Sequence, residues 1–142
     1  MKNFEHIESY TNDKNVYVGI DVHKEHWVIC SVCDGEVVEK HKIQAKYIYL
    51  KYFLTRYKQA RHIKIVYEAG FSGFWLYRQL KQDGFSCIVT PPSLTPKNAG
   101  KVKTDKRDAE KLAFYLSAGL LKAIWVPPAK VESDRRALRG RA

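Results

Sequence analysis

Cysteine, methionine and long apolar runs are all scarce in this sequence. Its 142 residues include only three cysteines and one methionine. An odd and low cysteine count excludes a disulfide framework and favours a reducing compartment. No run of about 18 apolar residues could cross a bilayer, and the polar first 15 residues lack the apolar core of a signal peptide. We therefore expect a cytoplasmic protein that does not enter a membrane.

Acidic residues are also in short supply. Lys and Arg number 25 against 15 Asp and Glu, which gives a formal charge of +10 at pH 7. This charge favours a polyanionic partner, and nucleic acid is the better choice than an anionic membrane surface. With 45% hydrophobic residues, the chain can bury one core of ordinary size. The composition therefore predicts a single domain that binds nucleic acid.

Two of the cysteines, Cys30 and Cys33, spell C-x-x-C. Both lie in a predicted strand, where an odd spacing places them on opposite faces of the sheet. No second Cys or His pair completes a zinc set. We expect buried thiols that act as small hydrophobic side chains.

The hydrophobic pattern predicts strands first and then strands alternating with helices. Asp34-Gly35 is a strong two-residue hairpin signal, so the first three strands should be antiparallel. The later alternation favours parallel pairing, so we expect an α/β fold with a mixed sheet and helices on both faces. Strands are predicted over 16–22, 26–33, 36–43, 62–67, 85–90 and 123–126, and helices over 46–61, 72–82 and 105–117. Residues 1–15 are expected to form a mobile lead-in, 16–128 the domain, and 129–142 the start of a further helix.

Acidic residues end two of these strands. Asp21 closes the first strand and Glu68 closes the fourth. Asp21 shares a strand face with Gly19, which leaves room for something to approach. Open α/β sheets place their sites at the carboxyl ends of strands. A lone acid at a strand end is more often a simple turn residue, so the site hypothesis depends on further acids arriving there.

Asp105 and Asp108 are the further acids that this hypothesis requires. Their i, i+3 spacing places them on one helix face, which Leu112 and Leu116 continue, so both acids should point towards the sheet. The alternative is that Asp105 caps the helix and Asp108 favours its first turn. Four crowded carboxylates would repel one another unless a divalent cation balanced them, and oxygen ligands suit Mg²⁺ or Mn²⁺. Within a basic chain, such a site fits phosphodiester chemistry.

Basic residues surround these acids in the sequence. We expect them to contact the phosphate backbone rather than to read bases. The predicted nucleic-acid-binding residues are Lys24, Lys97, Lys101, Lys103, Lys106 and Arg107.

The order of elements follows the ribonuclease-H-like (RuvC-like) pattern, and four stretches carry a closer likeness. They are GIDVHKEHW, YEAGFSGFWLYRQL, VTPPSLTPKNAGKVKTDKRDA and LAFYLSAGLLKAIWVPP. The chain resembles the N-terminal part of DEDD-type insertion-sequence transposases, which are related to the pilin-gene invertase and to RuvC-type Holliday-junction resolvases. The four acids match the family motif in order.

This resemblance implies a metal-dependent DNA strand cleavage and exchange domain from a bacterium or archaeon, associated with the nucleoid. It makes Asp21, Glu68, Asp105 and Asp108 both catalytic and metal-binding. It also implies a structured noncoding guide RNA as a partner and a dimer or tetramer of the full-length protein. Family members carry a nucleophilic serine in a second domain after a coiled coil. We expect this chain to be the acidic-site domain alone.

Two rival hypotheses remain. An actin-like phosphotransferase also begins with three strands and an Asp, but its phosphate cradle needs small residues where this chain has His23, Lys24 and His26. A noncatalytic nucleic-acid-binding module would keep the fold without the chemistry, and its acids would tolerate substitution.

Overall fold

A computed structural model describes residues 4–70, 72–92 and 107–128. None of the helices in these ranges is both long and apolar enough to span a membrane. The elements are α1 (Phe4–Thr11), β1 (Asn15–Val22), β2 (His26–Cys33), β3 (Glu36–Gln44), α2 (Tyr47–Leu54), a 3₁₀ turn (Thr55–Tyr57), β4 (His62–Glu68), α3 (Trp75–Gln82), β5 (Ser86–Thr90) and α4 (Ala109–Ser117).

The five strands form one sheet in the order β3-β2-β1-β4-β5. β1 pairs antiparallel with β2, and β2 pairs antiparallel with β3. β1 pairs parallel with β4, and β4 pairs parallel with β5. The chain reverses between β2 and β3 at Asp34 and Gly35, which both have positive φ, as the hairpin signal requires. The predicted mixed sheet is therefore confirmed.

The larger part of the core covers one face of the sheet. Val18, Ile20 and Ile29 point to this face, where Leu50 of α2 and Leu76 of α3 pack against them. All five are at most 1% exposed. Burial of such side chains is the main stabilising term of the fold, at about 1.5–3 kcal/mol for each.

The opposite face has a thinner layer of small side chains. Its buried cluster consists of Cys30 and Val32 from β2 and Ala109 and Ala113 from α4. Cys33 belongs to the core on the other face, so the two cysteines do point in opposite directions as predicted. Burial raises the pKa of the Cys30 thiol to about 12, so this group stays protonated at neutral pH. Helices therefore cover both faces, as expected.

A network of buried polar side chains links the 3₁₀ turn to the β2–β3 hairpin. It lies on the face of the sheet that the larger core covers. Glu39 is 4% exposed and accepts a 2.6 Å hydrogen bond from the Tyr57 hydroxyl. The same carboxylate lies 2.8 Å from His41 Nε2 and 3.3 Å from Arg56 Nη1. The Tyr57 hydroxyl also lies 2.6 Å from Ser31 Oγ. The buried charge of Glu39 is thus compensated, as such a group requires.

Residues 4–11 form a helix, an element that the expectation of a mobile lead-in over residues 1–15 did not include. Ile7 is 1% exposed and joins the larger core. Thr11 is buried too, and its hydroxyl donates a 2.7 Å hydrogen bond to the Ile7 carbonyl. Ile7 and the partly buried Tyr10 anchor a helix that is otherwise mostly polar, so the sequence shows little periodicity there.

The predicted strand over 123–126 is also wrong, because the structure shows no strand there. The Ile124 amide donates a 2.7 Å hydrogen bond to the Val89 carbonyl of β5. This contact places the segment along the sheet edge without extending into a ladder. The helices are shorter than predicted: α3 begins at Trp75, after Gly73 with φ +62°, and α2 gives way to the 3₁₀ turn.

Candidate metal and nucleic-acid site

Two acids lie side by side at the carboxyl ends of β1 and β4. The parallel register pairs Gly19 with Val66 and Ile20 with Tyr67. Asp21 and Glu68 are the next residues on the two strands. Because side chains alternate along a strand, both carboxylates lie on the face of Gly19. The structure therefore brings these two predicted site residues together.

Gly19 is the point where α4 meets this face. A Cβ atom at Gly19 would lie 2.7 Å from the Ala113 amide nitrogen and would also overlap the Ala109 carbonyl. The room that a glycine leaves on β1 is thus filled by the backbone of α4. Close helix packing is a known use of glycine within a strand. The start of α4 is held near the carboxyl end of β1 by this contact.

Asp108 stands at the N-cap of α4. Its carboxylate accepts a 2.8 Å hydrogen bond from the Lys111 amide. The prediction that Asp108 lies within the helix and points inward was wrong, because α4 begins at Ala109 and Asp108 is exposed. Leu112 is 1% exposed, as predicted, whereas Leu116 is only partly buried.

Five further predicted site residues lie outside the described ranges. They are the acid Asp105 and the basic residues Lys97, Lys101, Lys103 and Lys106. Lys24, in contrast, is described and exposed in the turn between β1 and β2.

A histidine contacts Asp21. The Asp21 side chain is 13% exposed, and one of its oxygens lies 2.9 Å from His23 Nε2. The His23 ring stacks on His26 with 4.6 Å between ring centroids. Desolvation, helped by nearby Lys42, holds the pKa of His26 below its usual value. Nothing in the sequence favoured His23 over His26 as the partner of Asp21.

Glu68 forms an ion pair with Arg107, which precedes α4. Its side chain is 7% exposed, and Arg107 Nε donates a 2.8 Å hydrogen bond to Oε2. Arg107 Nη2 also donates to the Pro91 carbonyl at 2.5 Å. Arg107 was predicted to contact phosphate, yet here it neutralises an acid. The separation of 39 positions in the sequence explains why no local pattern revealed the pair.

The donor chemistry of this region fits a hard divalent cation. Asp21 and Glu68 are carboxylates on neighbouring strand ends, and Asp108 caps α4, which packs on the same face of the sheet. Oxygen ligands of this kind suit Mg²⁺ or Mn²⁺. Within the described parts of the chain, no three His, Cys, Asp or Glu side chains are grouped closely enough to hold a metal ion. The two strand-end carboxylates therefore fit as a partial ligand set to which Asp105 and Asp108 would have to contribute.

Comparison with known proteins identifies relatives of the chain. A family model for DEDD transposases of the IS110 type, described as "Transposase", matches residues 18–141. The transposase for insertion sequence element IS1533 from Leptospira borgpetersenii is 41% identical over 104 residues, which cover 70% of this chain and 30% of that protein.

Two proteins of Sinorhizobium fredii are also similar. The y4qE protein is 38% identical over 133 residues, or 90% of this chain and 34% of its own length. The y4rJ protein is 30% identical over 139 residues, or 85% of this chain and 35% of its own. The 142 residues thus span about a third of the length of these curated relatives.

Proposed function

Because this chain belongs to the DEDD transposase family, we propose that it supplies the carboxylate-bearing domain for DNA strand cleavage and exchange. Its mixed sheet with helices on both faces is the ribonuclease-H-like α/β fold of such a domain. The observation that carries the proposal is the placement of Asp21 and Glu68 next to each other on parallel β1 and β4. Parallel strand ends are the usual location of sites in open α/β sheets.

Four acids would hold the divalent ion in this proposal. Asp21 and Glu68 provide carboxylates from the sheet, while Asp105 and Asp108 provide them from the segment that leads into α4. A bound Mg²⁺ or Mn²⁺ supplies the charge that activates a nucleophile and stabilises a leaving oxygen in phosphodiester cleavage. The packing of α4 on Gly19 keeps the Asp108 end of the helix near the strand ends.

Basic residues and His23 have separate roles around these acids. His23 orients the Asp21 carboxylate through its 2.9 Å contact. Arg107 offsets the charge of Glu68 before a cation is present. Exposed Lys24 holds the DNA backbone, and we assign the same role to Lys97, Lys101, Lys103 and Lys106. Phosphate contacts of this kind position DNA without reading its sequence.

Other parts of the proposal come from the family resemblance. They are a structured guide RNA, a dimer or tetramer of the full-length protein, and a serine nucleophile in a second domain. We assign to these 142 residues the acidic half of the site only. The place of action would be the nucleoid in the cytoplasm of a bacterium or archaeon.

The pairing of Arg107 with Glu68 favours a second candidate, a noncatalytic nucleic-acid-binding module. An arginine that permanently neutralises Glu68 would leave no reason for a metal ion at the strand ends. DNA would then bind through the basic residues alone. Metal binding separates the two candidates, because only the carboxylate site requires it.

The deciding experiment measures thermal unfolding of the chain with and without Mg²⁺ or Mn²⁺. A cation that binds the native state at 100 times its dissociation constant adds about 2.7 kcal/mol to the free energy of unfolding. Asp21→Asn and Glu68→Gln should each reduce this gain. Asp21→Asn should leave the metal-free protein as stable as the original or more so, because it also relieves repulsion between carboxylates.

Glu110→Gln is the matched control for these variants. Glu110 is an acid in the first turn of α4, but it lies 3.9 Å from Lys40 and belongs to no proposed ligand set. Its substitution should leave the metal-induced gain unchanged. If the gain is the same in Asp21→Asn, Glu68→Gln and Glu110→Gln, the noncatalytic module becomes the better conclusion.

A further inference from the structure

A cavity of about 320 Å³ lies beside the carboxyl end of β1. Its lining includes Trp75 from the start of α3, Trp27 from β2, and His23 and Lys24 from the turn between β1 and β2. The cavity is large enough for one planar ring system and is formed by side chains from three different elements. None of the roles assigned so far uses its aromatic wall.

Trp75 presents an indole ring at this cavity. The residue is 45% exposed although its side chain is large and aromatic. Trp27 supports it from below: its ring lies 6.1 Å from the Trp75 ring at a tilt of 42°, and Trp27 itself is 2% exposed. Tilted aromatic pairs at this separation attract each other. Trp75 is therefore a supported ring with a face available to a ligand.

The cavity and the acidic site share His23. This residue lines the cavity and contacts Asp21 at 2.9 Å. Exposed Lys24 follows it in the sequence and lines the same cavity. A ligand there would have an aromatic surface on one side and a cation beside it, with only His23 between it and the Asp21 carboxylate. A nucleotide combines the flat ring and the anionic group that these two features recognise.

We propose that the cavity receives an unpaired nucleobase of the DNA strand that the acids engage, stacked on Trp75 with its phosphate near Lys24. This inference depends on the proposed function for the location of the strand. Stacking of a base on an aromatic side chain contributes about 1–3 kcal/mol and tolerates any base, because every base has a π face. A base within a duplex is already stacked on its neighbours, so it must first leave the helix to reach the ring.

The experiment compares two DNA duplexes of the same length that share one strand with a single 2-aminopurine. The complementary strand pairs this base with thymine in one duplex and leaves it unpaired in the other. Affinities of the whole chain are measured by fluorescence anisotropy. Trp75→Leu should weaken binding to the DNA with the unpaired base about tenfold and should change binding to the paired duplex less than twofold. The 2-aminopurine emission should be quenched by the original chain and not by Trp75→Leu.

Trp125→Leu is the matched control. Trp125 is 69% exposed, and it is not among the residues that line the cavity. Its substitution should leave both affinities and the quenching unchanged, and melting curves should show that both variants are folded. An RNA of the same sequence tests the source of the base: stronger, Trp75-dependent binding of RNA would overturn the assignment to DNA.

The outcomes distinguish this cavity from the proposed function as a whole. If Trp75→Leu weakens both duplexes equally, or neither, the stacking site is overturned while the carboxylate site stands on its metal response. If the original chain binds the duplex and the metal but shows no preference for the unpaired base, the cavity alone is overturned. A chain that binds neither DNA nor metal would overturn both.

Discussion

The Asp108 carboxylate has two roles, one as a helix cap and one as a proposed metal ligand. It caps α4 by accepting a hydrogen bond from the Lys111 amide at 2.8 Å, and we place it among the four acids that would hold a metal ion. An N-cap needs an oxygen acceptor but no particular charge, so Asn serves nearly as well as Asp. A metal ligand at this place needs the charge. These two needs can be separated by substitution.

We predict that Asp108→Ala lowers the free energy of unfolding by about 1 kcal/mol, because the cap is lost. Asp108→Asn should cost a few tenths of a kcal/mol to about 1 kcal/mol, since it keeps the cap and loses only the interaction with the helix dipole. Both variants should lose the same part of the stabilisation by Mg²⁺ or Mn²⁺. Urea unfolding with and without metal measures both quantities. An unchanged metal response in the two variants would mean that Asp108 is only a cap.

The individual site residues differ in how far the sequence could predict them. The neighbouring positions of Asp21 and Glu68 were predictable, because each breaks an apolar run at a strand end and neighbouring parallel strands end at the same edge. The partners His23 and Arg107 were not. Whether His23 or His26 meets Asp21 depends on the backbone of the turn, and Arg107 reaches Glu68 only after the chain has folded.

Among the elements, α4 has a position that depends on one close backbone contact. It meets β1 where Gly19 has no side chain, so helix and strand backbones come close together. We predict that Gly19→Ala lowers the free energy of unfolding by at least about 1–3 kcal/mol, because the added methyl meets backbone atoms that cannot rotate away. It should also reduce the stabilisation by metal, because α4 is displaced together with Asp108.

Gly70→Ala is the control for this substitution. A Cβ atom at Gly70 would meet no atom within 4 Å, so the change should alter stability by less than about 1 kcal/mol. Urea unfolding of the two variants, with and without Mg²⁺, gives the comparison. If Gly19→Ala is tolerated as well as Gly70→Ala, the close approach of α4 does not set the geometry of the site.

The elements themselves could largely be predicted from the sequence. The five strands were recognisable because apolar runs rich in β-branched residues are bounded by turn residues, as at Asp34-Gly35. Their ends and the helices were less certain. The positive φ of Gly73 and the cap at Asp108 set where α3 and α4 begin, and both are backbone states that periodicity does not report. α1 was missed because its main anchor in the core is a single side chain, Ile7.

For the molecule as a whole, the net charge of +10 governs encounters with DNA. We predict that affinity for unrelated DNA sequences falls steeply between 50 and 200 mM salt, by about a thousandfold if six phosphates are neutralised. Changing Lys101 and Lys103 together to Ala should weaken binding to all sequences alike and make the salt dependence shallower. Filter binding or anisotropy over a salt series measures both effects.

Lys51 and Lys58 provide the control for charge alone. Both are exposed, and they lie on α2 and just after the 3₁₀ turn, the elements that cover the face of the sheet opposite α4. Their double change to Ala removes the same charge and should alter the salt dependence less. Affinity that does not respond to salt would show that the basic residues around the acids do not contact the backbone.

The thin layer of buried side chains beneath α4 has a consequence for local unfolding of this molecule. Small residues such as Cys30 and Ala113 bury little apolar surface, whereas the other face holds most of the core. Segments with few buried apolar contacts open at lower free energy than the rest of a domain.

We predict that the amides of Leu112 and Ala113 in α4 exchange with deuterium sooner than those of Val18 and Ile20 in β1. Mg²⁺ should slow the amide exchange of α4 far more than that of β1. Equal protection of α4 and β1 without metal would contradict this. If this prediction holds, the half of the acidic site that α4 carries belongs to a foldon that opens while the sheet stays intact. Metal and DNA would then be needed to keep this foldon packed against the sheet.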